Sequence, residues 1–256
     1  MTVPPLVTYQ RTGHVVEIGL NRPDKLNALS TELVDELSDA FYRFDADDDG
    51  WIAILSGAGR AFCTGADVTR RIGSAAGRGV SRATKSTVLL SDYENTKPVI
   101  AAVHGYAYGA GFRLVLHSDL SVADTTAKFQ FTEIVRGLDG SHLWAEMGLR
   151  GFGTFADDLA MTGRVCSAEE AHARGLINRV VAAGTHLDAA RNLAEQVLSN
   201  PPLAVRAVVR SRRARLRILE SNTAAVRHER KLHTSNDFRE SIAALKEKRK
   251  PVYSGT

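Results

Sequence analysis

Hydrophobic and polar positions alternate along residues 6–20, where Val15, Val16, Ile18 and Leu20 stand out, and this period of two predicts a β-hairpin opening a sheet. The period then changes. Leu33, Val34, Leu37, Phe41 and Phe44 recur at helical spacing over 30–44, behind Ser30, whose hydroxyl can cap a helix. Residues 51–55 form a short apolar run closed by the turn Ser56-Gly57-Ala58-Gly59, and 98–103 form another; both read as buried strands. Residues 120–123, 128–131 and 176–181 read as three more strands. Residues 69–85 are rich in Arg, Gly, Ser and Ala without a period, and are expected to form a mobile loop. Ser167 with Glu170 three residues on is a capping-box signal.

After Gly184 the pattern is helical throughout. Residues 187–198 are amphipathic, Pro201-Pro202 breaks the run, 203–219 and 223–232 follow, and 236–248 start behind Thr234 and Ser235. Strands interleaved with helices suggest βαβ-type crossovers. The chain therefore divides into an α/β core, 1–184, and a C-terminal helical region, 185–256.

Composition narrows the class. With 44% hydrophobic and 24% charged residues, 256 residues can bury one large core. Cys63 and Cys166 are too few for a disulfide framework and fit no metal-binding spacing, so a reduced compartment and no metal are expected. No basic region precedes an apolar stretch at the N-terminus, which argues against a signal peptide. The most apolar stretch, 99–116, contains His104, Arg113 and several glycines, which argues against a membrane span. A cytoplasmic location is the expectation.

Net charge is +4, unevenly placed: from Pro201 onward there are 14 Lys and Arg against 5 Asp and Glu, and elsewhere 19 against 24. A basic end suits a phosphorylated small molecule, nucleic acid or an acidic subunit face, or is simply a solvated helix face. Arg206, Arg210, Arg212, Arg213, Arg215 and Arg217 could track RNA phosphates, but no aromatic residues interleave with them for base stacking, and nucleic acid is not an expected partner.

Two small-residue turns carry the candidate chemistry. The first is Ala61-Phe62-Cys63-Thr64-Gly65-Ala66-Asp67-Val68; the second is Val103-His104-Gly105-Tyr106-Ala107-Tyr108-Gly109-Ala110-Gly111. Small residues let a backbone bend sharply and let a ligand approach its N–H groups. A helix starting near Ala110 would aim free N–H groups and a partial positive charge at an anion. Two N–H groups converging on one point make an oxyanion hole. On pattern alone, the same glycines serve equally well as purely structural turns. Cys63 has no base near it in sequence and reads as a small packing residue.

These stretches resemble the crotonase, or enoyl-CoA hydratase/isomerase, superfamily. The likeness extends over Asn21-Arg22-Pro23-Asp24-Lys25-Leu26-Asn27-Ala28-Leu29, the 62–68 turn, and Lys97-Pro98-Val99-Ile100-Ala101-Ala102-Val103-His104-Gly105-Tyr106-Ala107. It continues through Ala127-Lys128-Phe129 before Glu133, Leu159-Ala160-Met161-Thr162-Gly163-Arg164, Ala168-Glu169-Glu170-Ala171 and Ala173-Arg174-Gly175-Leu176-Ile177. The resemblance implies a spiral of ββα units with a C-terminal helical trimerisation region, assembled as trimers or as hexamers made of two trimers. It implies an acyl-CoA thioester substrate, with coenzyme A as part of the substrate rather than a separate cofactor. By position, the oxyanion-hole donors are the N–H groups of Ala66 and Ala110. Lys25, Leu26, Ala66, Asp67 and Val68 would line the coenzyme A channel, and Phe238 and Lys248 would reach its nucleotide end from a neighbouring subunit.

The chain departs from the hydratase pattern of two glutamates. The second position is Glu133, the expected acid–base; the first falls on Arg113. A guanidinium stays protonated at any relevant pH and makes a very poor base. Arg113 is expected to pair with Glu133, to bind a carboxylate or carbonyl of the substrate, or to form a structural ion pair with Asp119 or Glu94. Downstream, Gly137-Leu138-Asp139-Gly140-Ser141-His142-Leu143-Trp144 brings a carboxylate, Asp139, and an imidazole, His142, near the expected site. That turn resembles one in the carbon–carbon hydrolase branch of the superfamily. The leading expectation is therefore a lyase or isomerase acting on an enoyl-CoA through Glu133. The alternative is a hydrolase or lyase of a β-dicarbonyl compound using His142 and Asp139.

Overall fold

The computed structural model describes residues 4–67, 96–227 and 232–256. The expected hairpin is present as β1 (Val7–Thr12) and β2 (Val15–Leu20), paired antiparallel. Then follow α1 (Thr31–Ala46), β3 (Ile52–Gly57), β4 (Val99–Val103), β5 (Tyr106–Tyr108), α2 (Ala110–His117), β6 (Leu120–Asp124) and β7 (Lys128–Gln130). Next come α3 (Thr132–Val135), α4 (Ser141–Leu149), α5 (Gly153–Thr162), β8 (Cys166–Ser167), α6 (Ala168–Ala173) and β9 (Arg179–Val181). The chain closes with α7 (His186–Leu198), α8 (Pro202–Arg227) and α9 (Asn236–Glu247).

One sheet has the order β1-β2-β3-β4-β6-β9, parallel from β2 onward; a smaller one has the order β5-β7-β8. The central strands read as continuous apolar runs because both of their faces are covered. Ala53, Leu55, Ala101 and Val103 meet α1 through a core that includes Leu33, Leu37, Phe41 and Phe44. Their alternates Ile52, Ile54, Ile100 and Ala102 meet Ala190, Leu193 and Ala194 of α7. Three serines cap as their spacing predicts: Ser30, Ser167 and Ser235 accept from the N–H groups of Leu33, Glu170 and Phe238.

Three readings need correction. The strand expected over 176–181 covers only Arg179–Val181, because Leu176 and Ile177 turn into the core while their N–H groups bond the Ala171 carbonyl. The separate helices expected over 203–219 and 223–232 are one helix, α8, running through Ser221-Asn222-Thr223; low local propensity there is overridden. The segment 137–144, read as a turn, runs from Ser141 into α4. The loop expected over 69–85 lies outside the described residues.

Candidate functional site

Backbone pairing welds the two small-residue turns together. Cys63 bridges Ala107: its N–H donates to the Tyr106 carbonyl at 2.9 Å, and its carbonyl accepts from the Tyr108 N–H at 3.0 Å. On its other side the first turn is held by 22–30. Leu29 bridges Ala66, donating to the Gly65 carbonyl at 2.8 Å and accepting from the Asp67 N–H at 3.0 Å. In a parallel bridge of this kind Leu29 uses the groups flanking Ala66, so the N–H of Ala66 itself points to the other side, away from Leu29. Asn27, fully buried, spans the same gap: its amide donates to the carbonyls of Ala58 and Ala61 at 2.9 and 2.8 Å and its oxygen accepts from the Arg22 N–H.

Gly65, at φ +88, shows how closely the turns approach. A Cβ there would stand 2.8 Å from the Tyr108 carbonyl oxygen and 3.3 Å from the Ala110 nitrogen. Ala110 is the first residue of α2, and its N–H belongs to the set that a helix leaves without an internal partner. The preceding Gly109 supplies no side-chain cap.

Glu133 lies at the same place. Its carboxylate oxygens would be 3.2 and 3.5 Å from a Cβ on Gly109, and its own Cβ 3.4 Å from one on Gly140. Gly109 and Gly140 are the N-cap residues of α2 and α4, and neither gives a side-chain cap bond. One glycine-capped helix start therefore meets the carboxyl group and contributes positive potential there, while the other packs against the Cβ of the same side chain. Asp139 and His142 are at the start of α4, the Asp139 carboxylate accepting from the Ser141 N–H at 2.9 Å.

Arg113 is one turn into α2 and turns inward. Its Nε donates to Glu146 of α4 at 2.9 Å, while the other Glu146 oxygen stands 3.1 Å from His117 Nε2. Glu146 is 1% exposed. Burial alone would raise its pKa, but the His117 imidazole and the Arg113 guanidinium outweigh burial and hold it down at about 2. Burial also pushes the His117 pKa down, against the pull of Glu146. Glu146 was not singled out from the sequence; its signal is one acidic residue within the apolar helix Leu143–Met147. Of the partners expected for Arg113, Asp119 takes Arg212 and Arg213 at 2.8 Å each, and Glu94 lies outside the described residues.

The residues expected to hold coenzyme A divide into two groups. Lys25 is exposed and Leu26, at φ +50, gives its carbonyl to the Thr64 N–H beside the first turn. Asp67 accepts from Arg22 at 2.7 Å. Val68 lies outside the described residues. Phe238, half-buried in α9, has its backbone against Gly137 on the approach to Asp139, whereas Lys248 is exposed at the far end of that helix. His104 bonds the Gly59 carbonyl at 2.9 Å. Cys63 is fully buried, which pushes its thiol up to about 12. Among the described residues no group of three or more His, Cys, Asp or Glu could hold a metal ion, and no helix is long and apolar enough to cross a membrane.

Comparison with known proteins gives a consistent result. The model of the enoyl-CoA hydratase/isomerase family matches residues 10–256. A carnitinyl-CoA dehydratase of Proteus mirabilis is 35% identical over 95% of this chain and 96% of its own length. An (E)-benzylidenesuccinyl-CoA hydratase of Thauera aromatica is 34% identical over 78% of this chain and 79% of its own. The crystal structure of a carnitinyl-CoA hydratase from Mycobacterium avium superposes with a TM-score of 0.87 at 31% identity, covering 99% of this chain and 100% of that one.

Proposed function

The chain belongs to the enoyl-CoA hydratase/isomerase family of the crotonase superfamily, and we propose that it adds water across the Cα=Cβ bond of an acyl-CoA thioester, or removes it, with Glu133 as the acid–base group. The observation that carries this reading is the placement of the Glu133 carboxylate at the start of α2, where the Ala66 and Ala110 turns meet, with the Glu133 Cβ against the start of α4. The Ala66 and Ala110 N–H groups hold the thioester oxygen. As water adds to Cβ, the double-bond electrons move toward that oxygen and form an enolate, the charge such donors stabilise. Glu133 takes one proton from the water and returns it to Cα as the enolate collapses, so every atom of water ends on the product. Lys25, Leu26 and the Ala66–Asp67 turn border the coenzyme A moiety; Phe238 and Lys248 belong to its nucleotide end, and the assembly is a trimer or a pair of trimers.

His142 and Asp139 support a second reading, hydrolysis of a β-dicarbonyl compound, because they are carried by the same helix start that flanks Glu133. A panel of enoyl-CoA thioesters, including dicarboxylic and cationic acyl groups, is followed at the enoyl absorption band. We expect turnover by the wild type, a loss of about 10²–10⁴ in kcat for Glu133→Gln, and a mild effect for His142→Ala. The reverse order of the two variants would select the second reading. No spectral change with any thioester would defeat the first.

A further inference from the structure

We propose that Glu146 is the positioning residue of this site, fixing the register in which the starts of α2 and α4 meet at Glu133. The inference rests on the function proposed above and names a residue through which that function is set. Three rungs join the two helices. At their far ends Arg150, which follows α4, donates to the carbonyls of Leu116 and Ser118 at the end of α2. In the middle Glu146 holds Arg113 and His117. At the near ends Glu133 stands between Gly109 and Gly140. The order of the rungs shows that α2 and α4 run in the same direction, with their N-termini side by side.

The middle rung is the one that specifies register. Arg113 and His117 are four residues apart on one face of α2, so a carboxylate bridging them fixes both the slide and the rotation of α4. Apolar side chains tolerate repacking, whereas a buried carboxylate has few acceptable placements. One turn before Arg113 is Ala110, with its candidate donor N–H; one turn before Glu146 is His142. A displacement at the middle rung therefore reaches both helix starts. Arg113, where the resemblance places a carboxylate, thus acts through Glu146 rather than as a base.

The test compares wild type, Glu146→Gln and the apolar pair Arg113→Met/Glu146→Met. Each is assayed with but-2-enoyl-CoA, with Tm measured in parallel. Apolar replacement of a buried ion pair is often neutral for stability. We expect the double variant to melt close to wild type, with KM nearly unchanged and kcat down about 10²-fold, as misplacement by about 1 Å can cost. Recovery of kcat together with Tm would show a merely structural pair and overturn the inference. If the double variant does not fold, kcat per folded molecule of Glu146→Gln decides, and an unchanged value overturns it. If wild type turns over no thioester, the functional reading fails instead. The backbone amide resonances of Ala110 and His142 then carry the test, shifted in Glu146→Gln if the register is set by Glu146, unmoved if it is not.

Discussion

At the scale of single residues, the site depends on glycines that stand where a side chain would collide. Gly109 has φ +52, and a Cβ there would strike the Thr132 hydroxyl and crowd Glu133. Gly109 also has ψ −119, outside the left-handed helical region, so Gly109→Ala is expected to lose about 1–3 kcal/mol from backbone strain alone and to lower kcat well beyond what the lost stability explains. Urea unfolding and steady-state kinetics on the same preparation check both. Gly148 is the control: it sits inside α4 with no atom of the described residues within 4 Å of its Cβ position, so Gly148→Ala is expected to gain about 0.5–1 kcal/mol. The two turns were legible because their small residues are contiguous in sequence. Glu146 was not, because its partner Arg113 is 33 residues away and no local pattern marks an acid that a distant helix will bury.

At the scale of elements, charge placement explains how the C-terminal helices join the core. Asp119 follows α2 and receives Arg212 and Arg213 of α8 at 2.8 Å each, together with the Val99 N–H at 2.9 Å. Arg212 also donates to the carbonyls of Leu116, His117 and Ser118, where the end of α2 favours a cation. Two of the six arginines that could have tracked RNA phosphates are therefore used internally. Arg213 is 2% exposed, so Asp119→Ala takes a carboxylate partner away from a buried guanidinium and is expected to cost about 3–5 kcal/mol. Arg215 is exposed, and Arg215→Ala is expected to change stability by no more than about 0.5 kcal/mol. Equal losses for the two variants in urea unfolding would contradict this division between buried and solvated arginines.

At the scale of the whole molecule, the large sheet was legible and the small one was not. Strands β3 and β4 announce themselves as apolar runs because α1 and α7 cover both faces. Strand β5 has three residues inside a glycine-rich turn, and β8 has two, too few for any period to show. Two histidines are buried beside carboxylates in separate parts of the fold: His117 against Glu146, and His186 3.3 Å from Asp124. Burial lowers the pKa of both imidazoles; for His186 the neighbouring His104 adds to it. A histidine whose pKa is lower folded than unfolded contributes stability that is complete above its unfolded value, near 6.5, and is lost as pH falls below it. Burial opposes ionisation of both carboxylates but is outweighed, for Glu146 by His117 and Arg113, and for Asp124 by hydrogen bonds from Thr126 and Gly184. Their stabilisation is complete above the ordinary carboxylate range and disappears as pH falls through it, toward about 2 for Glu146. The two kinds of group act in the same direction in successive windows. Urea midpoints are therefore expected to be level above about pH 7, to decline below about 6.5, and to fall further below about 4.5. In the Arg113→Met/Glu146→Met variant the His117 window remains, since its imidazole is still buried, while the lower window narrows. A midpoint that stays level from pH 7.5 to 5 would mean that the buried imidazoles accept protons as readily as they do in the unfolded chain.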